Sequence, residues 1–324
     1  MSQPAEVLVL AGGLSHEREV SLHSGHRVAQ ALRGAGLDVE ERDVDASLIA
    51  TLRDRPPLCV LPLLHGGAGE DGAVREVLEL LGTPYVGSRP AASRVSFDKP
   101  VAKTTAAAAG VSTPGAVALP HEMFRELGSA AVLDAVVARL GLPLVVKPTR
   151  GGSALGCSVV RAAEDLPAAM IACFGYGPVA LVERFVTGTE VAVTVLDFGS
   201  GPAALPAVEI RPASGSYDYA ARYTAGATEF VVPASLAPDV SARCAEVAVR
   251  AHRALQLRDV SRSDLIVDAA GQAWWLEANV APGMTETSLV PLAIAAAGLD
   301  LGEAMSRLVD TAVTRAGRSR GSAG

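Results

Sequence analysis

Trp274-Trp275-Leu276-Glu277-Ala278-Asn279-Val280-Ala281-Pro282-Gly283-Met284-Thr285 sets a carboxylate and a carboxamide two residues apart at the end of an apolar run, then turns on Pro-Gly. Two residues apart on a strand means one shared face. Upstream, Asp264 opens a second apolar run, Asp264-Leu265-Ile266-Val267, and Asp268-Ala269-Ala270-Gly271-Gln272 between the runs reads as a turn. The pair is predicted to be a hairpin. Such pairing brings Asp264, Glu277 and Asn279 together as hard oxygen donors, suited to magnesium and unsuited to a soft metal. The bland alternative is an exposed hairpin with ordinary turn-side acids.

Outward from the hairpin, the chain alternates apolar runs and amphipathic stretches. Val7–Leu10 and Leu58–Leu64 read as buried strands, Glu19 to about Leu32 and Gly72–Leu81 as helices, the pattern of a small parallel α/β layer. Composition shifts around Gly87-Ser88-Arg89-Pro90, a domain boundary. An Ala-rich helix from Lys99 to Ala109 and helical sequence near 121–140 follow, then strands Leu144–Lys147, Ser158–Arg161 and Leu181–Arg184. Strands dominate from Gly188 to a helix at Val240–Leu255, and a last helix covers Gly302–Thr314. Arg315–Gly324, rich in Gly, Ser and Arg, reads as a frayed tail.

With 49% hydrophobic and 19% charged residues, the 324-residue chain is a folded protein with room for two or three domains. A net charge of −7 without a basic block offers nucleic acid no footprint. The N-terminus lacks a signal-peptide pattern and no apolar run reaches membrane-spanning length, so the expectation is a soluble cytoplasmic protein with no membrane partner. Four scattered cysteines without a CxxC pair read as reduced and structural.

The loop Lys147-Pro148-Thr149-Arg150-Gly151-Gly152-Ser153-Ala154-Leu155-Gly156 lies between two strands. Its glycines let backbone N–H groups approach phosphate oxygens, and Lys147 adds positive charge. A strand follows where a Walker loop requires a helix, so it is a different kind of nucleotide loop. His65 ends a buried run at the carboxyl end of a strand, where clefts form. Glu17 stands in the first strand's loop, where its plain role is to complement a helix dipole. Position alone assigns Glu183 and Glu190 to solvent. Tyr217, Tyr219 and Tyr223 crowd three of five tyrosines into one loop-like segment, which suggests a lid.

In order, Gly12-Gly13, Glu17-Arg18-Glu19-Val20-Ser21, Leu64-His65-Gly66, Gly69-Glu70-Asp71-Gly72, Asp98-Lys99, Lys147-Pro148, Gly152-Ser153, Tyr217-Asp218-Tyr219, Tyr223, Arg262-Ser263-Asp264, Glu277-Ala278-Asn279 and Pro282-Gly283-Met284-Thr285 cover nearly the whole chain. Together they resemble the D-alanine–D-alanine ligases of the ATP-grasp superfamily. The resemblance implies an α/β (α+β overall) ATP-grasp fold of three domains: 1–88 a parallel α/β substrate-binding domain, 89–186 a central subdomain with the Gly-rich loop, 187–324 a C-terminal domain with lid, metal site and frayed tail. It implies ATP-dependent ligation of two D-alanines through an acyl phosphate, in peptidoglycan precursor synthesis, by a homodimer.

It also implies roles for residues. Lys99, Lys147, Gly151, Gly152 and Arg222 would contact phosphates, and Glu183 and Glu190 adenine and ribose. Asp264, Glu277 and Asn279 would hold two magnesium ions, with manganese able to substitute. Arg262 and the Gly283 N–H would form the oxyanion site. Glu17 and His65 would meet the first D-alanine, Ser288 and Leu289 the second, and Glu17, Ser153 and Tyr223 would fix the lid. The chain departs from the family pattern at Arg222, where lysine is usual, at Ala154, which replaces a second serine, at Val280-Ala281, which replace more polar residues, and at Pro100. Two alternatives stay open: a ligase placing D-lactate or D-serine second, and a non-catalytic ATP-binding module. Tyr223 favours the dipeptide, and the intact metal set argues against the module.

Overall fold

The computed structural model describes residues 6–213 and 226–321, with side chains as far as 318. Arg222 and the tyrosines at 217, 219 and 223 lie outside the described residues.

Three sheets organise the chain. In the first, β1 (Val7–Leu10), β2 (Val39–Arg42) and β3 (Cys59–Pro62) run parallel in the order β2-β1-β3. All four residues of β1 and of β3 are buried, as a parallel strand covered on both faces requires. Helices α1 (Arg18–Gly34), α2 (Leu48–Asp54) and α3 (Ala73–Leu80) connect and cover them. Because β1 and β3 are parallel, the loops carrying Glu17 and His65 emerge at the same sheet edge.

Helices α4 (Pro90–Phe97) and α5 (Lys99–Ala108) lead into the second sheet. Both start on proline-compatible first turns, and the Asp98 carboxylate accepts the Val101 N–H at the start of α5. β4 (Ala116–Pro120), β5 (Leu144–Pro148), β6 (Ser158–Val160) and β7 (Val179–Arg184) pair antiparallel in the order β4-β7-β5-β6. Helices α6 (His121–Leu127), α7 (Ser129–Leu140) and α8 (Leu166–Phe174) accompany it, and Leu133, Val136, Leu166 and Met170 close its core over Leu144 and Val146.

The third sheet contains β8 (Thr189–Leu196), β9 (Ala203–Ala204), β10 (Val208–Pro212), β11 (Thr228–Val231), β12 (Val260–Val267) and β13 (Ala273–Asn279), in the order β11-β10-β8-β12-β13 with β9 beside β8. Helix α9 (Pro238–Ala254) covers it with Cys244, Ala248 and Ala251 against Val191, Val193 and the fully buried Trp275. Helices α10 (Leu289–Ala296) and α11 (Leu301–Gly321) end the chain.

The expected helical stretch near 121–140 breaks at Gly128, whose φ of 84° leaves the helical region. The frayed tail is corrected: helix continues to Gly321, and Arg315 is held by a two-pronged ion pair to buried Asp259 at 2.7 and 2.8 Å. Composition pointed to a tail because a run of Arg, Ser and Gly has little apolar surface to bury; a tertiary partner for Arg315 outweighs that. Elements β2, α2, α4, β4, α8 and α10 carried no assignment in the sequence reading. Among the described residues, no single helix is long and apolar enough to cross a membrane.

Candidate active site

The predicted hairpin forms, with Asp264 opposite Glu277 and Arg262 opposite Asn279 on β12 and β13. Opposed residues on one face of an antiparallel pair have neighbouring side chains. The alternate positions Leu265 and Trp275 are fully buried, which fixes the register and turns the polar set away from the core. Each carboxylate already has a cation. The Arg262 guanidinium grips both Asp264 oxygens at 2.7 Å, and Lys99 Nζ lies 3.4 Å from Glu277 Oε2. Asn279 Oδ1 accepts the Ala281 N–H at 2.8 Å. The donor set is two carboxylates and an amide carbonyl on adjacent strands, all hard oxygens, and it fits magnesium. Among the described residues no cluster of three or more His, Cys, Asp or Glu side chains suits a metal; here the third donor is an asparagine.

Two cavities meet at this hairpin. The larger, about 440 Å³, is lined by Glu17, His65, Gly152, Ser153, Arg262, Glu277, Asn279, Gly283, Ser288 and Leu289 among others. The smaller, about 190 Å³, is lined by Lys99, Lys147, Gly151, Gly152, Glu183, Glu190, Asp264 and Glu277. Its apolar walls come from Leu155, Phe185, Val186, Ile266 and Leu276, a slot for a flat ring. Gly152 and Glu277 line both. Of the residues given a site role from sequence, Arg222 and Tyr223, with Tyr217 and Tyr219 of the same segment, lie outside the described residues; the others line these two spaces.

Glu17 is packed between two glycine segments. A Cβ at Gly66 would stand 2.7 Å from its Oε2, and one at Gly152 3.2 Å away. Gly66 also has a φ of 67°, so it meets two demands that only glycine satisfies together. The Ser153 hydroxyl donates to Glu17 Oε1. Ser153 and Ala154 both adopt left-handed backbone, with φ of 53° and 56°, at a cost of roughly 1–2 kcal/mol each.

Glu183 is buried, which corrects its assignment to solvent; Glu190 is half-buried. Burial alone would raise the Glu183 pKa, but ion pairs with Lys147 at 2.6 Å and Lys103 at 2.5 Å hold it below the usual range. Burial also opposes the Lys147 ammonium, and Glu183 outweighs it, so that pKa is raised. Lys103 loses the same contest and is drawn down to about 8 by burial. It also donates to Thr113 Oγ1 at 2.7 Å. Lys103 belongs to no motif, yet its place one helical turn after Lys99 on α5 is a usable signal.

His65 is buried, and desolvation lowers its pKa. Its Nδ1–H donates to Ala281 O at 2.8 Å and its Nε2 accepts from Ser24 Oγ at 3.1 Å, the neutral tautomer. Local sequence gives Glu70 no role of its own. It lines the larger cavity, accepts the Gly66 N–H at 2.9 Å, and is pushed up to about 7 by burial and by the charge of Glu17.

A family model described as D-ala D-ala ligase C-terminus matches residues 106–310. A D-alanine–D-alanine ligase of Desulforudis audaxviator is 42% identical over 310 residues, covering 95% of this chain and 98% of that protein. The solved VanG D-Ala:D-Ser ligase from Enterococcus faecalis superposes with a TM-score of 0.81 at 26% identity, covering 96% of this chain and 100% of its own. The D-alanine–D-alanine ligase from Bacillus anthracis complexed with ATP gives 0.80 at 27%, covering 98% and 100%.

Proposed function

This chain belongs to the D-alanine–D-alanine ligase family, and from that premise we propose that it joins two D-alanines into D-alanyl-D-alanine with consumption of ATP, through a D-alanyl phosphate, to supply peptidoglycan precursors. The observation that carries this reading is the junction of the two cavities at Gly152 and Glu277. A nucleotide in the slot and an amino acid in the larger space would meet there, which is what phosphoryl transfer to a carboxylate needs.

In this reading Lys99, Lys147 and Arg222 face the phosphates, with Gly151 and Gly152 allowing close approach. Lys147 is aimed by Glu183, so this carboxylate positions a cation besides bordering the base; Glu190 serves the ribose. Asp264, Glu277 and Asn279 would hold two magnesium ions, with manganese able to substitute; when bound, the metal offsets charge developing on the transferred phosphoryl oxygens. Glu17 takes the ammonium of the first D-alanine as a charge-assisted contact. His65, neutral, fixes the turn before Gly283 through Ala281. The Gly283 N–H and Arg262 receive the oxyanion as the second amine attacks, while Ser288 and Leu289 hold that substrate's carboxylate. Glu17, Ser153 and Tyr223 hold the lid that keeps water from the acyl phosphate. Residues 1–88, 89–186 and 187–324 form the three domains, and the enzyme is a cytoplasmic homodimer.

The likeness to a D-Ala:D-Ser ligase matches the likeness to a D-alanine–D-alanine ligase in TM-score, so backbone shape does not choose the second substrate. A mixed product with D-serine or D-lactate is therefore the second reading. The test is phosphate release with ATP and magnesium on D-alanine alone, on D-alanine with D-serine or D-lactate, and on L-alanine, with products identified by mass. D-alanyl-D-alanine from D-alanine alone is the expected outcome. Turnover only with a mixed pair selects the second reading, and release with none removes both.

A further inference from the structure

We infer that Arg27 is a positioning residue for the second substrate, holding the loop that carries Ser288 in place from helix α1. This deepens the ligation reading and rests on it. Arg27 Nη1 donates to two successive carbonyls, Met284 O at 2.9 Å and Thr285 O at 2.8 Å. Thr285 in turn governs Ser288: its N–H donates to Ser288 Oγ at 3.0 Å, and the two hydroxyls are 2.8 Å apart. A Cβ at Gly283 would stand 2.8 Å from Ser288 Oγ, so the loop is folded tightly on itself. Displacing Thr285 therefore displaces the Ser288 hydroxyl.

The near half of the loop has separate anchors. His65 holds Ala281 O, and Ser24 Oγ accepts the Met284 N–H at 3.0 Å. Val20, Ser24 and Arg27 lie at helical spacing along one face of α1, so one helix contacts both halves. The carbonyl contacts carry the effect. The guanidinium is also 3.8 Å from Glu286, but that carboxylate is 80% exposed, and so loose a surface pair contributes little. Removing the Arg27 donors frees the Thr285–Ser288 half and leaves Gly283, His65 and the nucleotide slot as they were.

The experiment is initial-rate kinetics of the full-length Arg27→Met enzyme, with D-alanine varied at saturating ATP so that the two D-alanine sites are resolved. The second-site KM is expected to rise about tenfold, the factor that about 1.4 kcal/mol of lost hydrogen bonding produces. The first-site KM and the KM for ATP are expected to stay within about twofold, and Arg27→Lys, which keeps ammonium donors, to recover most of the loss. A second-site KM unchanged in Arg27→Met, or an equal rise at both D-alanine sites, overturns the inference. If Arg27→Met does not fold, Arg27→Gln serves with the same selective rise at smaller size, and an unselective change there overturns it equally. A wild-type enzyme that releases no phosphate with D-alanine fails the ligation reading, and the inference with it, whereas an active wild type with an unaffected variant fails the inference alone.

Discussion

Glu277 borders both cavities, pairs with Lys99 and lies opposite Asp264, so a single carboxylate stands where the two spaces and the hairpin meet. Glu277→Ala should lower kcat by on the order of 10³, about 4 kcal/mol of transition-state stabilisation, with little change in unfolding temperature. Wild-type-like turnover in that variant would remove the metal assignment. Glu70 makes a different prediction. Its carboxyl is pushed up to about 7 in the folded chain from an ordinary 4.5, so ionising it opposes folding. Its unfavourable contribution is absent below about pH 4.5, grows as pH rises, and is complete above about pH 7, where it approaches 3 kcal/mol. Glu70→Gln keeps an acceptor for the Gly66 N–H, and its stability relative to wild type should rise by up to that amount between about pH 5 and pH 8 in urea titrations. A difference that does not change with pH would remove Glu70 as the source. At this scale the sequence was legible where a residue singled out from it lines one of the two cavities, as at Glu17, Lys147 and Asp264. It was not legible at Glu183, Glu70 or Lys103, because the burial that defines their charge behaviour comes from distant segments.

The β12–β13 hairpin could be read because two apolar runs, a Gly-containing turn and polar residues two apart on one strand all agree locally. Helix α9 could be read from apolar residues at helical spacing, but its consequence could not. His252 in its last turn is 1% exposed, Nδ1 2.7 Å from Ser261 Oγ, and burial lowers its pKa to about 4. A histidine kept neutral in the fold supplies stability that is present above the unfolded value of 6.5 and is lost as pH falls toward about 4. The loss should reach about 3 kcal/mol, and His252→Asn should flatten that acid limb. An unaltered limb in the variant would assign the acid sensitivity to other groups. Elements that escaped the sequence reading, such as β2 and β4, are short, with polar or half-exposed positions. Their strand form comes from partners, β1 for β2 and β7 for β4, more than from their own pattern.

Across the whole molecule, the two ends of the chain share one core. Val28 and Leu32 of α1 pack with Met305, Leu308 and Val309 of α11, and a Cβ on Gly302 would come within 2.3 Å of Ala31 O, so the two helices approach closely. Buried Asp259 joins this assembly to the third sheet: it accepts the Gly87 N–H at 2.7 Å and the Arg315 fork. Arg315→Ala should cost about 3 kcal/mol, because it leaves a buried carboxylate without its cation. Asp259→Asn in the same chain should recover part of that loss in urea unfolding; two purely additive losses would deny the coupling. The sequence by itself determined the family, through the ordered motifs it shares with it, the β12–β13 hairpin, and most of the polar residues that line the two cavities. The hairpin and the Gly-rich loop reside in local spacing: polar residues two apart along a strand, glycines at a turn, a lysine before a loop. Only the tertiary structure decided which charges lost their water, which lysine is drawn down and which acid is pushed up. It also decided that an arginine of the first helix holds a loop 257 residues away. Desolvation and long-range packing depend on what the rest of the chain brings alongside, and no local pattern contains that information.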